Sequence, residues 1–441
     1  VAFKTVISGL LYKAIASGNI SFHDALRIYR IFDLYISRSR SPSARFTQKK
    51  VLGHLIEATH PQARCAWTSV LFPAEILHPF NIYPMTLEVV AGIFSTVGLS
   101  QVFLNLAEGM DVPKTMCSFH RALIGISGSG FIGEPFAVGA TSLMCDGNVK
   151  SFAHVAGEQR APFFFIDVPF EAGDESVGYV RGQLEAVLRE LSQLTGVRDY
   201  EAGLAESVKN ANQTFSLMRR FYSLRKESGK NLFCGHETAN LAFPMHFMLG
   251  SPNLVKIIRA RCEDVENGGR HNRFFKSLYT NAQARRIMWL HIVPQYDTPL
   301  WTIIDNGCAA KVVCDEYSNQ FYGDYDPTDP LGSIAKRLIC HPSNGPIERR
   351  IEHILDVARD FRVDGIVHYS SWGCHQAAGN VHLLRQKIEE AGFAFLNLDG
   401  DAVDRRNQGE GQMRTRAEAF LEGIRPSREV ARSRDREIVR S

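Results

Sequence analysis

The run "DGIVHYSSWGCHQAAGN", residues 364–380, passes from an apolar, strand-like stretch through a Trp-Gly pair into Cys374 and a His-Gln pair. Its order is that of a strand that ends in a turn and opens a helix, the join at which alternating α/β folds present their side chains. Neighbouring segments share the texture. "RRIMWLHIV" (285–293), "AAKVVCDEY" (309–317) and "FAFLNLDG" (393–400) read as further strands, with "IERRIEHILDVARDF" (347–361) and "NVHLLRQKIEEAG" (380–392) as helices between the later ones. Each crossover is short, as a doubly wound sheet requires. Cys374 sits at the turn, and three readings compete for it: metal ligand, nucleophile, or small buried hydrophobe.

Working toward the N-terminus, residues 176–284 read as a helical connecting segment. In "LAESVKNANQTFSLMRRFY", Leu204, Val208, Ala211, Phe215, Met218 and Tyr222 fall on one helical stripe, which is core packing rather than a site. Before it, residues 61–175 resemble the later block. "AEILHPFNIYPM" (74–85), "SQVFLNLAE" (100–108) and "APFFFIDVP" (161–169) are short apolar runs spaced by helical stretches and by Gly or Pro. Residues 1–60 form a helical lead-in, in which "FHDALRIYRIFDLYIS" carries apolar side chains three and four apart, and 426–441 form a charged, frayed tail. The expected fold is therefore two Rossmann- or flavodoxin-like α/β domains, 61–175 and 285–425, with mostly parallel sheets and helical segments before and between them.

At 441 residues, 45% hydrophobic and 22% charged, the chain can bury a large core. A formal charge of +3 gives no push toward nucleic acid or an acidic membrane surface, and no run approaches 18 uninterrupted apolar residues. The opening "VAFKTVISGLLYKAIASGNI" lacks the apolar core and cleavage site of a signal peptide, and it begins on Val1 rather than Met, so the natural N-terminus is expected further upstream. Nine widely spaced cysteines without a C-x-x-C pair fit a reducing cytoplasm rather than a disulfide framework.

One motif is set aside. "GSGFIG" (128–133) spells the dinucleotide fingerprint, but Pro135 stands where its helix should be running. Cysteine–histidine catalysis by Cys374 with His375 is also disfavoured, because the base must approach the thiol from elsewhere in the fold. Three cysteines remain at suggestive positions. Cys117 opens "CSFHRALIG" at a helix start, Cys145 closes "TSLMCDG" at a strand end, and Cys374 does the same in the later block. Thiolates delivered to the carboxyl ends of two sheets could hold a cluster in the cleft, although spacing alone does not establish one.

The stretch from about 363 to 424 resembles the C-terminal part of the 2-hydroxyacyl-CoA dehydratase family, which includes benzoyl-CoA reductase subunits. The matching runs are "DGIVHYSSWGCHQ", "FAFLNLDGDAVDRRN" and "GQMRTRAEAFLEGI". "CSFHRALIG", "CDG" and "APFFFIDVP" fall in the family's order, and "FPAEILHPFNIYPM" looks like its P-x-E-[IL] segment. The resemblance implies that Cys117, Cys145 and Cys374 hold a [4Fe–4S] cluster with one iron free of cysteine. It further implies removal of water from a 2-hydroxyacyl-CoA through a ketyl radical, after one-electron reduction by a separate ATP-hydrolysing iron–sulfur activator. The partners implied are an acyl-CoA substrate and a paralogous subunit or second copy in a dimer, with no nucleic acid and no membrane. Ser69 and Glu75, in "TSVLFPAEIL", match a segment that lines the substrate side in the family, beside the plainer readings of a turn and a helix cap. For Arg121 and Arg416, internal salt bridges are favoured over contacts to CoA phosphates, and His375 and Gln376 read as a polar helix start. The alternatives carried by the resemblance are an ATP-coupled reductase of benzoyl-CoA type, or one with a double-cubane [8Fe–9S] cluster to which Cys308 and Cys314 would contribute. An accessory subunit or electron relay without turnover is the remaining one.

Overall fold

The computed structural model describes residues 20–36, 41–228, 233–267, 284–306, 308–320 and 323–424. The charged tail and most of the first twenty residues lie outside them. Eight strands form two four-stranded sheets, all parallel. The first contains β1 (Arg64–Thr68), β2 (Ile82–Thr86), β3 (Ala137–Thr141) and β4 (Phe163–Ile166), in the order β2-β1-β3-β4. The second contains β5 (Arg285–Leu290), β6 (Ala310–Asp315), β7 (Gly365–Ser371) and β8 (Ala394–Gly400), in the order β6-β5-β7-β8. The two orders are equivalent: the first strand pairs on one side with the second and on the other with the third. That is a doubly wound half with its switch point between β1 and β3, or between β5 and β7, where loops diverge and open a crevice.

Strands covered on both faces are apolar in both directions. Along β7, Val367 and Tyr369 enter one core while Ile366 enters another. The core containing Val367 is shared, because Trp67 and Val138 of the first sheet join Trp289 and Leu398 of the second in it. The outer face of the first sheet is covered by the helices Asp174–Thr195, Glu201–Ser228 and Pro252–Glu266. The helix Pro330–Ile339, which lies in the second block of the sequence, also packs there through Ile334, Ala335, Leu338 and Ile339.

Some local expectations change. "SQVFLNLAE" is not a strand but the helix Ser100–Gly109, which buries Phe103, Leu104 and Ala107 at the spacing of one helical face. "AEILHPFNIYPM" is strand only in its second part, two short 3₁₀ turns over Ala74–Ile76 and His78–Phe80 leading into β2 from Ile82. The glycine run 128–133 follows the helix Ser118–Gly128 and not a strand, so it lacks the context of a dinucleotide fingerprint. Among the described residues no helix is long and apolar enough to cross a membrane.

The halves are joined by a buried polar clasp. Arg121, fully buried, donates to Asp404 and Glu108, both at 2.9 Å, and to the Met116 carbonyl at 3.1 Å. Ser118 donates to Asp401, which also accepts the Val403 and Asp404 amides at 2.9 and 2.8 Å. Arg416 makes only a surface pair with Asp399. Both arginines thus take internal partners. Removing one member of a buried pair leaves its partner uncompensated, so Arg121→Met is expected to lose about 3–5 kcal/mol of stability. Arg416→Met is expected to lose less than about 1 kcal/mol, and denaturant midpoints of the two variants check the contrast.

Candidate functional site

The carboxyl ends of both sheets open onto one cleft. Val70 and Leu71 reach it after β1, Glu88 after β2, and Met144 and Cys145 after β3. From the second sheet come His291 after β5, Tyr317 after β6 and Cys374 after β7. Cys117 lines the same cleft from the start of the helix Ser118–Gly128. The three cysteines at helix starts are therefore brought together on one wall, and none of the other six lines the cleft. Cys308 is exposed, and Cys314 is buried in the core on the outer face of the second sheet.

Each of the three thiols occupies a helix N-cap. Two backbone amides face each sulfur: His120 and Phe119 for Cys117, Gly147 and Asn148 for Cys145, Ala377 and Gln376 for Cys374. Burial pushes all three thiols up, Cys145 to about 12, and neighbouring sulfur charge adds to this at Cys117 and Cys145 while the amides pull the other way. Such thiols stay protonated unless a cation compensates the thiolate. Two also meet a histidine: His120 Nε2 lies 3.4 Å from Cys145 Sγ, and His291 Nε2 lies 3.5 Å from Cys374 Sγ.

Strained backbone forms part of the cleft rim. Leu71, Met144 and His291 are non-glycine residues in the left-handed region, at φ 62°, 72° and 69°, and Gly373 joins them at 71°. Side-chain-bearing residues adopt that conformation only when the surroundings enforce it. Met144 and Gly373 each immediately precede a cleft cysteine, so in both halves the turn is bent to aim the thiol.

Glu88 was not singled out from the sequence. Its carboxyl is buried on the cleft wall, where Oε1 accepts the Val70 amide at 3.2 Å and Oε2 has no partner among the described residues. Burial pushes it up to about 8, against which its own amide and that of Val70 act weakly, so it is a neutral acid at pH 7. The only signal available in the sequence was an acid inside the apolar run "LEVVAGIF". Unpartnered buried atoms recur around this cleft: His120 Nδ1, both amide atoms of Asn148, Tyr317 Oη, His341 Nε2 and Gln376 Oε1. That concentration marks a site built to meet a polar ligand.

Ser69 and Glu75 do not line the cleft. The Ser69 hydroxyl accepts the Thr141 amide at 3.3 Å and donates to Val70, tying the β1 and β3 loops. Glu75 is fully buried and takes the Tyr325 hydroxyl at 2.5 Å and Arg337 at 3.2 Å. His375 is exposed near Asp146, while Gln376 does reach the cleft wall.

Among the described residues, no group of three or more His, Cys, Asp or Glu side chains could hold a single metal ion. A polynuclear group is a different demand, since its ligands surround a body several atoms wide. Three thiols on one cleft wall, each facing two amides, form a donor set that fits an iron–sulfur cluster in kind.

The sequence matches the family model for the D-component of 2-hydroxyglutaryl-CoA dehydratase over residues 69–424, most of the chain and both sheets apart from β1. The chain belongs to that family. It is 22% identical over 379 residues to the (R)-phenyllactyl-CoA dehydratase alpha subunit of Clostridium sporogenes, covering 83% of this chain and 91% of that one. It is also 22% identical to the alpha subunit of (R)-2-hydroxyglutaryl-CoA dehydratase of Acidaminococcus fermentans, covering 64% of this chain and 58% of that subunit. A benzoyl-CoA reductase subunit of Thauera aromatica is 24% identical, covering 74% and 80%.

Gly373 tests how the two halves of the site are held in this family member. A Cβ there would lie 2.6 Å from the Thr115 carbonyl oxygen and 2.7 Å from the Cys117 nitrogen, so the backbones carrying Cys374 and Cys117 touch. Gly392 shares the left-handed conformation, at φ 87°, but a Cβ there meets nothing within 4 Å. Gly392→Ala is expected to cost roughly 1–2 kcal/mol, the conformational term alone. Gly373→Ala should cost clearly more than Gly392→Ala in denaturant melts, because residues 115–117 must also move away from it.

Proposed function

We propose that this chain is the cluster-holding subunit of a 2-hydroxyacyl-CoA dehydratase, with Cys117, Cys145 and Cys374 as the ligands of a [4Fe–4S] cluster. The observation that carries the reading is the meeting, on one cleft between two switch points, of three N-capping thiols from both halves of a chain in this family. When bound, the cluster supplies the low-potential electron that turns the substrate thioester into a ketyl, from which an α-hydroxyl can leave. A paralogous subunit or second copy and a separate ATP-hydrolysing activator complete the proposed system.

The chain's own residues prepare and protect that chemistry. The paired amides at each helix start stabilise thiolate charge, and His120 and His291 direct ring nitrogens at two of the sulfurs, a lever on reduction potential. Apolar walls from Val89, Phe119, Phe243 and Val293 keep water from the reacting centre. Glu88 holds a proton at neutral pH and is the general acid for the departing hydroxyl. The three-ligand reading is preferred to the double-cubane one because Cys308 and Cys314 lie away from the cleft. The relatives are named for three different acyl groups, so identities of 22–24% leave the acyl group to be argued from the cleft itself.

Iron and acid-labile sulfide after strictly anaerobic purification test the assignment. Wild type should hold about four irons per chain, and Cys374→Ser should lose or disrupt them. No iron in either protein would overturn it, and a clearly higher count would favour the double-cubane reductase. Glu88 makes a separate prediction. Because its carboxyl is protonated below about pH 8, turnover should fall as pH rises through that value. Glu88→Gln should lower turnover by about 10²–10⁴-fold and abolish that alkaline limb in an anaerobic assay with partner and activator.

A further inference from the structure

Apart from the three thiols, the titratable groups on the cleft wall include Glu88, His120, His246, His291 and His341, and among the described residues no lysine or arginine lines it. Two buried arginines on nearby elements are committed elsewhere. Arg337 pairs with Glu75 at 3.2 Å, and Arg350 grips both oxygens of Glu316 at 2.6 and 2.9 Å. Burial, reinforced by Arg337, pushes His246 and His341 down to about 3, so both are neutral imidazoles at pH 7. The polar groups left to meet a ligand, among them Tyr317 Oη and His341 Nε2, are likewise neutral. The rest of the wall is uncharged, made of amide side chains such as Asn148, Asn240, Gln295 and Gln376 and of apolar ones, Val70, Val89, Phe119, Phe243, Ile292 and Val293.

We propose that this cleft selects 2-hydroxyacyl-CoA thioesters whose acyl chain is uncharged, and discriminates against acyl chains that end in a carboxylate. The inference rests on the acyl-CoA reading above and adds the substrate class. A terminal carboxylate entering this cleft would leave water without meeting a cationic side chain among the described residues, and buried charges are tolerated only when paired. An apolar chain loses nothing of the kind and gains contact with six apolar side chains, while Tyr317 and His341 remain for a hydroxyl or carbonyl oxygen.

The test compares two non-reacting thioesters of similar length, 4-methylpentanoyl-CoA and glutaryl-CoA, in calorimetric titrations. The protein is the full-length chain purified anaerobically with its partner subunit, and free CoA is the reference. The expected result is binding of 4-methylpentanoyl-CoA at least about 10-fold tighter than glutaryl-CoA. Val70→Lys, at a half-buried position on the wall, should narrow or reverse that ratio by supplying the missing cation. Equal or tighter binding of glutaryl-CoA by wild type would overturn the charge selection and leave the acyl-CoA reading standing. If neither thioester bound more tightly than free CoA, the acyl-binding role of the cleft would itself fall.

Discussion

The site depends on a clasp between Ser118, Arg121, Asp401 and Asp404. Arg121 is fully buried beside two aspartates that are themselves buried, an arrangement whose desolvation cost Coulomb attraction only partly offsets. What it secures is a single placement of one half against the other. Asp401 directly follows β8, and Ser118 directly follows Cys117, so the bond between them fixes where the first half's helix starts relative to the second half's strands. The hydroxyls of Tyr296 and Tyr369 hold the Asp401 carbonyl at 2.6 and 2.9 Å, which extends the constraint into β7 itself. Cys117 and Cys374 face one cleft because this junction admits little play.

From the clasp the constraint passes to the backbone. Contact of Gly373 with residues 115–117 leaves no room for a side chain, and the left-handed turns at Met144 and Gly373 point the following cysteines into the cleft. Strain of this kind, together with buried polar atoms that lack partners, lowers stability wherever it occurs. Both occur at the strand ends around the cleft, while the sheets beneath are packed on both faces with Trp67, Trp289, Val367 and Leu398. A rigid double-sheet base is what lets the rim stay poised and incompletely satisfied.

The second sheet was legible in the sequence because its strands are apolar runs of six or seven residues, closed by recognisable helices. The first was legible only in part. β1 and β3, "RCAWT" and "AVGAT", are five residues long and too poor in branched or aromatic side chains to stand out. Gly139 in β3 has a structural cause, since the Phe72 ring occupies the space where a Cβ would lie. Sequence position drew attention to Cys117 at a helix start and to Cys145 and Cys374 at strand ends, and the family resemblance joined them as a set. It pointed less well at Ser69 and Glu75, since a buried hydroxyl and a buried carboxylate bonded inward look the same in one dimension as groups facing a substrate. Glu88 escaped notice for the converse reason: its importance comes from burial without a second partner, and burial is a property of the folded chain.

The equivalence of the two halves shows why the cleft has three thiols. Cys145 and Cys374 occupy matching places, each an N-cap beyond the third strand of its sheet and each after a left-handed residue. Cys117 caps the helix that precedes the third strand of the first half. The matching helix of the second half, Ile347–Asp360, is capped by Pro346, which has no side-chain donor or acceptor to offer. The repeated architecture therefore provides four equivalent N-cap places at the cleft ends of the two halves, and cysteine fills three of them. A four-cysteine set would satisfy a cluster and confine it to passing electrons. In the reading proposed above, three cysteines leave one side of the same wall to Glu88, Tyr317 and an acyl group, so that an electron-transfer framework could become a place where a substrate reacts.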